Sequence, residues 1–444
     1  MSHKIFLGKD NDMFRDVSID SQLYYWFISG DQTSTVEWEV VLKEEVDEAA
    51  LKTAVADVMS IFVNFRSHPV ILNGRLKVSV DDAITVPVFK ENNILRQLGT
   101  AETEGYLFYI TFLGRKIFLR LFHGLADGRG SLSFLTAVLG HYAKETHRAE
   151  YDIPEPDCTE DISVIEQVMK SCEGCKPNGR FNEDEHMEDV FRFPVDRFNE
   201  KDRKWRVFEI DVPLLPLLAL SKSNESSVVP VFEAIIGNAI RRNYDVNDKL
   251  IIGSVPVDMR PIFEVKSGSN GSAGVAVPYK PALDKYDLGR RAMLLRSVLD
   301  IQVQKENIYT GVVNFASLFK QVSEQPYPME EIITVVKQNN VMAGNMAPYT
   351  YSFSYPGKIR LPEKVGSSVE SIVISACGNT FPLLIEACEY NGIIRMMMTQ
   401  VFDSDEVARI IFDEISGIIP DVKFIDRGIK IYDRMDIEKL EHID

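Results

Sequence analysis

Along the first third of the chain, apolar residues recur at two alternating periods, and the switches between them mark elements. Val36, Trp38, Val40 and Leu42 fall on every second position, the period of a half-buried strand. Leu51, Val55, Val58, Met59 and Phe62 then fall at helical spacing, on one face of a helix that Asp47 is placed to cap. Tyr106 to Phe112 and Ile117 to His123 read as two apolar strands of a hairpin, turning at Leu113-Gly114-Arg115-Lys116. Period two puts Ile117, Leu119, Leu121 and His123 on one face of the second strand, with Lys116 and Arg120 on the other. Phe134, Leu135, Val138, Leu139 and Tyr142 follow as a helical stripe on a segment predicted to start near Ser131. His123 therefore stands where a strand hands over to a helix.

From about residue 155 to 205 the pattern dissolves into Pro, Gly, Cys and charge, as expected of an exposed crossover. The division placed there gives an N-terminal unit of residues 1–180, a linker of 181–205 and a C-terminal unit of 206–444. Beyond it, Phe232, Ile235, Ile236, Ala239 and Ile240 mark a helix with Pro230 in its first turn, and Ile251 to Val257 reads as a buried strand leading into Asp258-Met259-Arg260-Pro261. Further strands are predicted at Tyr349–Tyr355, Val369–Ala376, Pro382–Glu389 and Ile393–Phe402, two of them meeting at the hairpin signal Asn391-Gly392. A final helix is predicted from Asp403 or Ser404, with Glu406 completing a capping box. Both halves mix sheet with flanking helices, which makes the class α/β or α+β.

Length supports two units, since 444 residues exceed the roughly 250–300 at which one core stops growing. The charge balance narrows the partners. With 49 Lys+Arg against 66 Asp+Glu, the formal charge of -17 disfavours nucleic acid and anionic membranes as bulk partners. The N-terminal stretch has no apolar core of signal-peptide length and no segment reaches the roughly 18 apolar residues of a membrane span, so a cytoplasmic location is expected. Five cysteines do not read as a disulfide framework. Cys158, Cys172, Cys175 and His186 offer four zinc-type ligands at irregular spacing; whether they bind a metal is open, and none is expected.

The chemistry centres on Phe122-His123-Gly124-Leu125-Ala126-Asp127-Gly128. A histidine at a strand end is either a hydrogen-bonded core residue or a general base, the side chain suited to deprotonating an alcohol or amine as it attacks a thioester. Asp127-Gly128 adds a carboxylate and a turn just before the helix, which favours the base. Lys266-Ser267-Gly268-Ser269-Asn270-Gly271-Ser272 lacks the ending of a phosphate-binding loop and reads as flexible. Met396-Met397-Met398 lies in a strand, where at least one methionine is placed to line an acyl channel.

FHGLADGRG resembles the His-x-x-x-Asp-Gly signature of the chloramphenicol acetyltransferase-like, coenzyme A-dependent acyltransferase superfamily, with the early strand and helix, the hairpin and the following helix in the same order. The likeness is strongest to stand-alone bacterial alcohol acetyltransferase-like proteins, because the chain lacks the Asp-Phe-Gly-Trp-Gly motif of the plant enzymes. It implies two acyltransferase-like α/β units, each a mixed sheet with helices, around an interface channel. It further implies His123 as base, Asp127 as a structural residue beside Gly128, and a distant arginine paired to Asp127, for which Arg260 is the candidate. Phe122 stands where many members carry a second histidine, on the strand face turned away from His123. Phe353-Ser354-Tyr355-Pro356-Gly357 is similar to the Ser-Asn-x-Gly segment of bacterial relatives; Ser354 is then either an oxyanion donor or a strand serine bonded to backbone. The implied donor is an acyl-CoA or an acyl carrier protein, and the acceptor a small alcohol or amine. A binding protein that retains the fold without catalysis is the alternative.

Overall fold

The computed structural model describes residues 14–443 apart from 28–33, 81–82, 93, 148–162, 173–189, 199–201, 203, 324–327, 330, 333, 335–348, 379–380 and 432–438. In chain order the strands are β1 (Phe14–Asp16), β2 (Ser34–Leu42), β3 (Ser67–Leu72), β4 (Arg75–Val80), β5 (Val88–Lys90), β6 (Phe108–Leu113), β7 (Lys116–Phe122) and β8 (Lys204–Pro213). They continue with β9 (Ile251–Asp258), β10 (Ser272–Tyr279), β11 (Tyr351–Ser354), β12 (Val369–Gly378), β13 (Leu383–Tyr390), β14 (Ile393–Gln400), β15 (Lys423–Ile431) and β16 (Glu441–Ile443). Three sheets result, ordered β12-β2-β7-β6-β5, β10-β9-β11-β13-β14-β8-β15 and β1-β4-β3-β16.

In the N-terminal half, helices α1 (Ile19–Phe27), α2 (Glu48–Ile61) and α3 (Gly128–His147) accompany the five-stranded sheet. Asp47 caps α2 by accepting from the Ala50 amide, and Leu51, Val55, Val58 and Met59 are buried beneath it. β2 departs from the half-buried strand the sequence predicts. Its polar positions are closed off as well, because Glu37 accepts from Arg120 of β7 and Lys430 of β15, while Glu39 accepts from Lys116. Arg427 of β15 lies 3.6 Å from Glu39, so a strand of the C-terminal half covers this face with cations.

Two C-terminal strands are built into N-terminal sheets: β12 pairs antiparallel with β2, and β16 pairs parallel with β3. Within the stretch expected to be an exposed crossover, α4 (Val164–Ser171) forms instead and buries Val164, Ile165 and Val168. Its first amides, of Val164 and Ile165, donate to the Asp20 carboxylate on α1. The helix predicted from Asp403 or Ser404 begins at Glu406, since Asp405 gives its carboxylate to Arg409 rather than to the helix amides. It is followed by β15, whose Lys423–Ile431 pairing with β8 the sequence reading passed over. At Asn391-Gly392 both residues take positive φ, as the predicted hairpin requires. Met396 and Met398 enter the helix-covered core of the seven-stranded sheet, while Met397 packs on the other face with Trp205, Val207 and Val373. Among the described residues no helix is long and apolar enough to cross a membrane.

Candidate active site

β7 ends at Phe122, and His123 follows it directly. Phe122 is buried against Tyr25 of α1, with ring centroids 4.9 Å apart. His123 donates its backbone amide to the Ser34 carbonyl and is less completely buried than Phe122. Tyr24 of α1 stacks on the imidazole at 4.3 Å and 13° between planes, which fixes the ring on one side.

The imidazole's two nitrogens have different surroundings. Nδ1 lies 3.1 Å from Asn270 Oδ1. The Asn270 amide nitrogen donates to the Gly124 carbonyl, which leaves the amide oxygen facing the histidine. An acceptor faces Nδ1, so Nδ1 carries the proton and Nε2 carries the lone pair. No described residue bonds Nε2. Burial pulls the imidazole pKa below its ordinary value, only partly opposed by a backbone hydrogen bond and the Asp127 charge, so the neutral form prevails at pH 7.

Asp127 faces away from this chemistry. Its carboxylate takes two bonds from Arg260, Nη1 to Oδ2 and Nη2 to Oδ1, each at 3.0 Å. It also accepts from the Gly130 amide at 2.9 Å, capping α3 three residues earlier than the predicted start near Ser131, and from the Gly271 amide at 2.8 Å. The structure thus brings Asp127 and Arg260 together across 133 residues of sequence. Burial works to raise the Asp127 pKa, but the guanidinium and the two amides outweigh it and hold the carboxyl below its usual range.

Arg260 organises the second half of the site. Standing in the short helix Met259–Phe263 after β9, it also donates to Asp258 and to the carbonyls of Ser267 and Ser269. The segment expected to be a flexible loop is therefore fastened, with Ser267, Ser269 and Asn270 all buried. A guanidinium that collects carbonyls gives this glycine-rich run a fixed path and delivers Asn270 to His123. Gly128 opens α3 with negative φ, and a Cβ there would meet Ile374 at an ordinary 3.5 Å. Gly130 is crowded instead, since a Cβ there would come within 2.1 Å of the Gly268 carbonyl oxygen.

Ser354 ends β11, beside Glu386 in the parallel pairing with β13, and its hydroxyl bonds the Glu386 carboxyl. Asn270, Tyr24 and Gly130 were not singled out from the sequence. Asn270 lay inside a segment whose loop-like composition hid its contacts, while Tyr24 carried no local signal at all. Of the zinc-type set, Cys158, Cys175 and His186 lie outside the described residues, and Cys172 is a buried free thiol in the C-terminal core.

No family model matches the sequence, and no curated protein matches it. Solved structures do. Polyketide synthase associated protein 5 from Mycobacterium tuberculosis superposes with a TM-score of 0.62 at 14% identity, over 90% of this chain and 97% of that one. The epimerization domain from the third module of tyrocidine synthetase B gives 0.60 at 12% identity, over 91% and 96%. The starter condensation domain of rhizomide synthetase, in a complex with C8-CoA and Leu-SNAC, gives 0.59 at 10%, over 92% and 94%. Identities this low carry the fold alone, and over nearly its whole length this chain has the chloramphenicol acetyltransferase-like fold of the condensation and epimerization domains.

Proposed function

We propose that this chain is an acyltransferase that moves an acyl group from a thioester to an alcohol or amine, with His123 as the base. The observation that carries the reading is the Asn270 oxygen at Nδ1, which leaves the Nε2 lone pair to receive a proton. Nε2 takes the proton of the acceptor's hydroxyl or amine as its oxygen or nitrogen bonds the carbonyl carbon. The tetrahedral intermediate then expels the thiolate by breaking the carbon–sulfur bond, and the imidazolium returns the proton to sulfur.

Asp127, Arg260 and the buried Asn270 keep the imidazole in place without touching the reacting atoms, as a preorganised base requires. Ser354 has one hydroxyl proton, and an oxyanion would compete for it with Glu386. Coenzyme A is the donor favoured here, in line with the C8-CoA named for the rhizomide synthetase domain. An acyl carrier protein is the second reading, supported by likeness to domains of peptide synthetases. Thiol release from a panel of acyl-CoA donors, with and without small alcohols and amines, tests the reading; release only from a loaded carrier protein selects the second. Binding of thioesters without release in either format would leave a non-catalytic binding protein.

A further inference from the structure

β13 lies inside the seven-stranded sheet, between β11 and β14. Its residues alternate: Leu383, Ile385 and Ala387 enter the helix-covered C-terminal core, whereas Cys388 and Tyr390 pack into the core of the N-terminal half. Glu386 shares the second face. Leu384, Ile385, Ala387 and Cys388 around it are buried, yet Glu386 is only half-buried. Glu386 thus keeps some accessible surface on the strand face turned to the half carrying His123.

Strand register places Glu386 relative to β9. β11 runs parallel to β9 with Ser352 beside Ser254, and parallel to β13 with Ser354 beside Glu386. Ser354 and Glu386 thus form a row close to the end of β9, where Arg260 and Asn270 hold the histidine loop. Two strand spacings separate Glu386 from β9, about 10 Å. Contact runs the same way along the other side: Cys388 bonds the Ile372 carbonyl of β12, and Ile374 of β12 adjoins Gly128.

Other acids on this side of the sheet have cations: Glu209 accepts from Arg427, and Asp211 lies 3.5 Å from Arg395. Glu386 has Ser354, and among the described residues no basic partner. We infer that Glu386 anchors a cationic amine on the acyl acceptor, which makes the acceptor class an alcohol or amine bearing a separate ammonium group. The inference rests on the acyl-transfer reading above. Burial pushes the Glu386 pKa up to about 7, partly offset by the Ser354 bond, so a docked ammonium is the partner that would hold it ionised at neutral pH.

Aminopentanol and pentanol, offered with acetyl-CoA, differ only in that ammonium. Wild-type protein is expected to favour aminopentanol in kcat/KM by about tenfold or more, mainly through KM, and Glu386→Gln to bring the ratio close to one. A wild-type ratio near one, or a ratio unchanged in the variant, overturns the inference while leaving acyl transfer intact. Calorimetric titration with pentanediamine reads the same contact without turnover: about tenfold weaker binding to Glu386→Gln supports it, and equal binding overturns it. Absence of thiol release with both acceptors counts against acyl transfer, and the diamine titration still decides the Glu386 contact.

Discussion

Asp127 and Glu233 are both closed off from solvent, yet they end on opposite sides of their ordinary pKa values. Asp127 joins the two halves of the molecule and meets a bidentate guanidinium and two backbone amides, so it stays ionised. Glu233 lies in the C-terminal core on the helix Val228–Asn243, where Tyr351 donates to one oxygen and the other has no partner among the described residues. Burial pushes its pKa up to about 8, against the pull of the Tyr351 bond. Partners, rather than depth, decide whether a buried carboxyl is a charge, and the partners of Asp127 fix the histidine loop.

The largest effect should come from leaving Asp127 without its cation. Arg260→Ala is expected to destabilise the fold by about 3–5 kcal/mol in chemical denaturation. A loss below about 1 kcal/mol would show that the pair does not organise the loop. Gly130→Ala drives a Cβ toward the Gly268 carbonyl and should cost about 1–3 kcal/mol, whereas Gly128→Ala, facing an ordinary contact, should stay within about 0.5 kcal/mol. Equal losses at the two positions would remove the steric distinction between them.

Protonation separates the two carboxyls more finely. Glu233 has a raised folded-state pKa, so the folded protein holds its proton where the unfolded chain has lost it; this contribution is complete at acid pH and declines as pH rises toward about 8. One linked proton limits the slope to about 1.4 kcal/mol per pH unit. Asp127, with its pKa lowered, contributes in the opposite sense: its stabilisation is present above the ordinary aspartate range and is lost as pH falls. Melting temperatures of Glu233→Gln across pH 5 to 9 should therefore gain on wild type toward alkaline pH, and parallel curves would contradict the assignment. A modest effect is expected at exposed Asp47, whose cap on α2 should be worth about 1 kcal/mol on substitution by alanine.

The same contrast explains what the sequence could reveal. β2, α2, the β6–β7 hairpin and the helix Val228–Asn243 announce themselves because their apolar residues recur at a local period in the sequence. Arg260 could be nominated only because a resemblance supplied the order of parts, since nothing local joins it to Asp127. Hidden from a single sequence were the pairings of β12 with β2 and β16 with β3, which depend on which distant edges are free. The path of Ser267 to Gly271 was hidden too, because its composition suits a mobile loop until a buried guanidinium claims its carbonyls.

His123→Ala tests the central claim most directly, measured as thiol release from an acyl-CoA in the presence of an acceptor and alongside the variant's melting temperature. A folded protein whose turnover falls by about a hundredfold or more is the expected result. A folded variant that releases thiol at the wild-type rate would contradict His123 as the base.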